Sequence, residues 1–132
     1  MKKFSLILVS LFFILSCSED APLYEFSTLP IDEAKTPVSF TYKTSDTITL
    51  KYTLPNACFS FNNVYYEYER NSRIVGINVI KDLENTCNQA TIEKEIKLPI
   101  HILQEEDYIF KFYKGKDVNG DLIFEEIIVP VN

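Results

Sequence analysis

The residue types that most often carry out catalysis are sparse in this 132-residue chain and lack catalytic spacing. The single histidine, His101, follows a Pro-Ile pair in a connecting segment, and no serine or cysteine lies in a recognisable nucleophile turn. Three adjacent acids at 105–107 would support glycoside hydrolysis only if two carboxylates met across a cleft, whereas neighbours on one turn face solvent. The sequence therefore predicts a protein that is not an enzyme and binds no cofactor.

An acidic run at residues 117–121, Asp-Val-Asn-Gly-Asp, has the residue types of a calcium loop. An EF-hand loop counted from Asp117 would need Gly at its sixth position and Glu at its twelfth, where this chain has Leu122 and Ile128. The dipeptide Asn119-Gly120 is instead typical of a tight hairpin turn. We expect a hairpin without a recognised metal site. A weak cation site at this turn remains as the alternative.

The composition excludes one class of partner and favours a packed domain. Asp and Glu number 19 against 13 Lys and Arg, which gives a net charge of −6 and disfavours a nucleic-acid partner. Hydrophobic residues make up 46% of the chain, which is typical of a globular protein. With 3 glycines, the chain has no Gly-rich phosphate loop.

The first residues have the proportions of an export signal. Lys2 and Lys3 precede an almost wholly apolar segment, residues 4–15. Twelve helical residues span only about 18 Å, which is too short for a hydrocarbon core of about 30 Å. The segment therefore matches the apolar region of a signal peptide.

The sequence Ile14-Leu15-Ser16-Cys17 resembles the lipobox of bacterial lipoproteins. The resemblance implies a signal peptide at 1–16, a lipid-modified Cys17 that holds the protein to the membrane, and a tether at 17–23. The processed chain would carry 11 basic and 19 acidic side chains, a net charge of 11 − 19 = −8. The acidic pair Glu19-Asp20 resembles the surface-export signal of Bacteroidota lipoproteins, although a plain solvated tether would look the same. We expect outer-membrane attachment, either periplasmic or surface-exposed.

If Cys17 carries lipid, Cys58 and Cys87 are the two cysteines that remain. An even number of cysteines in an oxidising compartment predicts one disulfide, here across 29 residues. Two cysteines without nearby histidines do not complete a tetrahedral metal site, and a catalytic dithiol would have closer spacing.

Period-two alternation of apolar residues predicts an all-β chain of about seven strands. In the best example, residues 46–54, every second side chain from Ile48 to Leu54 is apolar. This pattern is typical of an immunoglobulin-like antiparallel β-sandwich over residues 24–132, with a small up-and-down barrel as the alternative. Tyr108 lies where a tyrosine corner would place it, Tyr68 is expected to face the core, and Gly76 suggests a bulge. The other predicted strands are an irregular one within 24–34, then 64–70, 74–81, 91–98, 108–113 and 122–131.

Three segments together resemble small envelope lipoproteins of Flavobacteria-type bacteria: residues 52–61, Cys87 and residues 108–120. The resemblance covers most of the processed domain. It implies a lipid-anchored immunoglobulin-like module and brings no particular activity with it.

The function that we expect is protein–protein contact at the cell envelope. The loops at 55–63, 82–90 and 114–121 should meet at one end of the sandwich, with Phe59 and Phe61 beside Cys58 in the first loop. Either these rings plug the end of the core, or they form an exposed contact surface. The alternative functions are a protease inhibitor that presents loops from one end and a carbohydrate-binding accessory lipoprotein. The predicted contact surface consists of Phe59, Phe61, Tyr65, Tyr113 and Asn119.

Overall fold

Alternating apolar and polar residues form extended strands throughout the part of the chain that the structure describes. The structure is a computed structural model that describes residues 20–132, so the predicted signal peptide and Cys17 lie outside the described residues. Within that range no helix is long and apolar enough to cross a membrane. The strands are β1 Tyr24–Leu29, β2 Glu33–Lys35, β3 Ser45–Leu54, β4 Phe59–Glu69, β5 Ser72–Asp82, β6 Ile92–His101, β7 Tyr108–Lys116 and β8 Leu122–Val129.

The strands form two sheets that pack face to face, which confirms the predicted all-β sandwich. The larger sheet contains β1, β4, β5, β7 and β8, and the smaller contains β2, β3 and β6 in that order. The predicted irregular first strand is in fact two strands, because the chain passes from β1 in one sheet to β2 in the other. The side chain of Ile31 is fully buried at this crossing, and Lys114 donates hydrogen bonds to the carbonyls of Ile31 and Asp32.

The core lies between the sheets and follows the predicted alternation. All four apolar residues predicted to face inward on β3 are buried, and the inward side chains of β5 lie opposite them. On β7, Tyr108, Phe110 and Phe112 are at most 1% exposed, and their rings stack in sequence along the strand. The buried side chains of the first two strands are Ile48, Leu50, Tyr52 and Leu54 on β3, and Val75, Ile77 and Val79 on β5.

Tyr108 forms the tyrosine corner that the sequence predicts. Its hydroxyl accepts a hydrogen bond from the backbone N–H of Leu103 at 3.2 Å and donates one to the carbonyl of His101 at 3.4 Å. The segment that connects β6 to β7 is therefore fixed to the start of β7 from inside the core.

One strand pair departs from the predicted antiparallel arrangement. β5 pairs with β4 along one side, but β1 and β7 share its other side. β7 runs parallel to β5 from Ser72 to Val75, and β1 runs antiparallel to it from Ile77 to Asp82. The larger sheet is therefore mixed, and it forks where β7 and β1 separate.

Three details of the predicted strands are wrong. β4 begins at Phe59 and not at residue 64, so Phe59 and Phe61 belong to a strand and not to a loop. Tyr68 is 71% exposed because it lies at the end of an edge strand, beyond the cover of the smaller sheet. Gly76 pairs with Tyr65 in regular register, so β5 has no bulge there. The register shifts lie instead in β4, between Phe61 and Asn63, and in β7, between Tyr113 and Gly115.

The predicted disulfide is confirmed. Cys58, directly before β4, is bonded to Cys87 in the connection between β5 and β6, with the two Cα atoms 5.4 Å apart. The backbone N–H of Leu83 donates to the carbonyl of Leu23 at 3.0 Å in the same region. The described chain therefore begins at the disulfide end of the sandwich.

Candidate functional site

The five residues of the predicted contact surface do not form one surface. Phe59 is half-buried against the core, and the ring of Phe61 lies 6.2 Å from the buried Tyr52. Both phenylalanines therefore belong to the inner side of the larger sheet at its β4 edge. The rings therefore pack against the core as the first alternative expects, but at its side and not at the end of the sandwich.

Tyr65 and Tyr113 meet on the outer face of the larger sheet. Tyr65 pairs with Gly76, and Tyr113 pairs with Phe124, so a single row crosses four strands. A Cβ atom built on Gly76 would lie 3.8 Å from the Cβ of Tyr65 and 3.7 Å from that of Tyr113. The rings of Tyr113 and Phe124 are 6.1 Å apart. We call these four residues, Tyr65, Gly76, Tyr113 and Phe124, the aromatic row.

Gly76 produces a slot in the middle of the aromatic row. Because this position has no side chain, a cavity of about 470 Å³ opens between the tyrosines where the sheet forks. The methyl group of Thr28, on β1, would lie only 2.9 Å from a Cβ on Gly76. Sequence reasoning missed this role of glycine, although a glycine inside a strand also signals close approach by another group.

A hydrogen bond orients one wall of the slot. The hydroxyl of Tyr65 donates to the carboxylate of Glu67, two residues along the same face of β4. This bond raises the pKa of the Tyr65 hydroxyl, so it remains neutral at physiological pH. Among the ion pairs of residues 20–132, none includes Glu67. The lining of the slot therefore carries one acid, Glu67, and one base, Lys116.

Four more large apolar side chains are exposed on the same outer face, and one of them, Leu122, lines the slot. Their exposed fractions range from 53% to 70%, which is high for residues of this size. They lie on the two strands that flank β5 and β7 on this face, and strand register places them on the side of the aromatic row. They are Tyr24, Phe26, Leu122 and Ile128.

In the turn at 117–121, the side chain of the first acid, Asp117, is bound to the backbone of the turn. The Asp117 carboxylate accepts hydrogen bonds from the backbone N–H groups of Asn119 at 2.8 Å and Asp121 at 3.0 Å. Asn119 is exposed at the tip of this turn, away from the aromatic row. Across residues 20–132 no group of three or more His, Cys, Asp or Glu side chains is arranged to hold a metal ion.

The remaining candidate catalytic residues make structural contacts. His101 is exposed at the end of β6, where its Nδ1 lies 2.8 Å from the hydroxyl of Ser45 on the neighbouring strand. In the acidic run at 105–107, Asp107 accepts a hydrogen bond from the backbone N–H of Val131 at 3.2 Å. His101 ends β6 and the acidic run lies in the connection that follows it, but no hydrogen bond among the described residues joins the two.

Comparison of the chain with protein families, with curated proteins and with solved structures finds no match. The outer face and its slot therefore have to be interpreted from their own geometry.

Replacing Gly76 with alanine should destabilise the sandwich by about 1–2 kcal/mol. The added Cβ would meet the Thr28 methyl group at 2.9 Å, and the Thr28 hydroxyl holds that rotamer because it donates to Asn78 at 2.8 Å. Urea denaturation measures the change. In a Thr28→Ser background, which removes the methyl and keeps the hydroxyl, Gly76→Ala should be neutral or slightly stabilising. An equal loss in both backgrounds would contradict the close approach.

Proposed function

We propose that this chain is a lipid-anchored, non-enzymatic module of a bacterial cell envelope that binds a protein partner through the outer face of its larger sheet. The observation that supports the proposal is the aromatic row, together with the exposed apolar residues on the same face. An outer sheet face usually carries polar residues because it meets water. An extended apolar patch on such a face marks an interaction site.

The chain path supports this face over the disulfide end as the contact surface. The described chain starts beside the disulfide, and residues 17–23 would span at most about 24 Å from a lipid on Cys17. A lipid anchor would therefore hold the disulfide end and the hairpin at 117–121 towards the bilayer. The outer face runs along the length of the sandwich and stays accessible to a partner.

The residue types on this face favour a protein over a glycan. A sugar stacks on flat and freely exposed aromatic rings, and Tyr24 and Phe26 on this face lie along β1, outside the lining of the slot. In the slot itself, Tyr65 is only 39% exposed and its hydroxyl is already bound to Glu67. Leu122 and Ile128 are more exposed than Tyr65, and aliphatic side chains offer no stacking platform. An inhibitor that works by protruding loops is disfavoured because the hairpin at 117–121 is a tight turn and the connection before β4 is held by the disulfide.

The chemistry of the slot defines the partner. Its tyrosine walls and glycine floor fit a projecting apolar or aromatic side chain, which would be the central anchor of the interface. Glu67 and Lys116 at the rim favour polar or charged partner side chains next to that anchor. A second copy of this chain is a poor occupant because its net charge of −6 opposes self-association.

Site-specific photo-crosslinking in cells that produce the chain tests this proposal. A benzophenone amino acid at Phe26, which is 70% exposed on the same outer face as the slot, should crosslink to one envelope protein. The same probe at Lys97, exposed on the outer face of the smaller sheet, is the matched control and should give at least tenfold less adduct. Tyr65→Ala should lower the Phe26 adduct at least tenfold, as expected for the loss of an anchoring contact.

Three results would overturn the proposal. The first is an equal yield at Phe26 and Lys97, and the second is an adduct between two copies of this chain. The third is loss of the adduct on adding soluble glycans, which would assign the face to carbohydrate. The captured protein must also present an apolar side chain flanked by polar or charged residues, and its binding must be reproduced with purified components.

A further inference from the structure

A buried arginine lies at the end of the sandwich opposite the disulfide. Arg73 faces inward near the start of β5 and is only 5% exposed. Charged side chains are seldom buried this far without a partner of opposite charge. Among the ion pairs of residues 20–132, none includes Arg73. Its charge is therefore not neutralised by any carboxylate of this part of the chain.

The groups of residues 20–132 that contact the guanidinium are neutral. Nη1 donates to the carbonyls of Arg70 at 3.0 Å and Ser72 at 2.8 Å, and Nη2 donates to the side-chain oxygen of Gln104 at 2.6 Å. The rings of Tyr68 and Tyr108 lie 4.3 Å and 4.9 Å from its central carbon. Nε is buried and has no hydrogen-bond partner. A guanidinium has five N–H groups, so this one retains donor capacity for an anion.

A cavity of about 340 Å³, which we call the Arg73 cavity, opens beside this group between the edge strands β4 and β6. Its lining includes no Asp or Glu, although the chain as a whole is acidic. The slot of the aromatic row, by comparison, includes both Glu67 and Lys116. Arg73 is therefore a positive charge without an acid beside it in this lining, in a protein whose net charge is negative. Residues that line the cavity include Tyr66, Tyr68, Arg73, Leu98, Pro99 and Gln104.

The remaining walls suit a small organic anion. Leu98 and Pro99 supply an apolar surface, and the half-buried Tyr66 supplies a hydroxyl group. Burial raises the pKa of Tyr66 to about 12, so this hydroxyl stays protonated and can donate. Tyr68 forms an outer wall and is 71% exposed, so its ring can move without uncovering the core. A single guanidinium matches a single carboxylate in charge and in planar shape.

We propose that the Arg73 cavity binds a small organic carboxylate, with the carboxylate held by Arg73 and Tyr66 and the apolar part of the ligand against Leu98 and Pro99. This site is separate from the aromatic row and does not depend on the proposed function of that face.

Titration of the ¹⁵N-labelled processed domain with benzoate, followed by NMR, tests the site. Benzoate should shift the amide signals of residues around Arg73 and Gln104, and it should bind at least tenfold more tightly than benzamide, its neutral counterpart. Arg73→Gln should weaken benzoate binding at least tenfold and leave the affinity for benzamide unchanged. Arg70→Gln, which removes an exposed charge three residues away, is the matched control and should change neither affinity.

A second variant keeps the proposal testable if Arg73→Gln fails to fold. Tyr66→Phe preserves the ring and should weaken benzoate binding about threefold to tenfold. The proposal fails if benzoate and benzamide give the same response, or if benzoate shifts are centred on the aromatic row. It also fails if Tyr66→Phe and Arg70→Gln have equal effects, or if inorganic phosphate binds as tightly as benzoate.

Discussion

Replacing Cys58 and Cys87 with serine together should lower the free energy of unfolding by about 3–4 kcal/mol, which corresponds to closing a loop of 29 residues. The bond joins the connection between β3 and β4 to the connection between β5 and β6, so it links the two sheets at one end. Without the disulfide, the unfolded chain has more conformational entropy, and the native state is therefore less stable relative to it. Chemical denaturation of the oxidised protein and of the double variant measures the difference.

The native fold should survive this change, because backbone hydrogen bonds join the same connections. Ala57 donates to the carbonyl of Asn88 at 2.9 Å, and Asp82 donates to that of Cys58 at 3.0 Å. Far-ultraviolet circular dichroism should therefore be unchanged at room temperature. Reduction of the unaltered protein is the matched control and should cost a similar amount. A loss below about 1 kcal/mol in both experiments would mean that the unfolded chain is already constrained.

The sequence predicts a strand well where the strand has one wet face and one buried face. β3 lies in the middle of the smaller sheet, so every second residue meets the core, and its alternation is complete. The aromatic residues of β7 follow the same rule. In both strands the local pattern contains the information that decides burial, so both the elements and their inward faces could be predicted.

The same pattern fails where a residue's environment depends on strand order. Tyr68 continues the alternation of β4, but β4 is an edge strand and the smaller sheet does not cover its end. Pro99 lies inside β6 and does not end it. Proline has no N–H group to donate, and β6 tolerates this because it is an edge strand with a neighbouring strand on one side. Pairings between distant segments of the chain decide which strands form the edges. They also decide that β7 runs parallel to β5.

The candidate sites illustrate the same limit. Tyr65 and Tyr113 could be singled out as outward aromatic residues, but not as neighbours across Gly76, since β5 separates them in the sheet. Phe124 was missed because it pairs with Tyr113 only through the register of β7 and β8. Arg73 gave no signal at all, because an arginine beside a turn is usually exposed and here it occupies an inward position of β5.

Replacing Cys17 with serine should release the protein from the membrane fraction. A lipid chain contributes about 0.8 kcal/mol for each buried methylene group, so a chain of ten or more methylenes contributes about 8 kcal/mol, and lipoproteins carry two or three such chains. Within residues 20–132, no helix is long and apolar enough to span a bilayer. Membrane partition after a high-salt wash, compared between the native chain and Cys17→Ser, measures the effect.

Intact mass of the protein from native membranes separates this anchor from the disulfide. Cleavage before Cys17 leaves the 116 residues 17–132, and lipid modification adds the mass of the acyl groups. Reduction should then add two hydrogens, one for each sulfur of Cys58 and Cys87. The Cys58→Ser/Cys87→Ser variant should stay in the membrane fraction, because its Cys17 is intact. An unmodified Cys17, or membrane retention of a Cys17→Ser chain from which residues 1–16 have been removed, would refute the anchor. The orientation of the outer face would then need another argument.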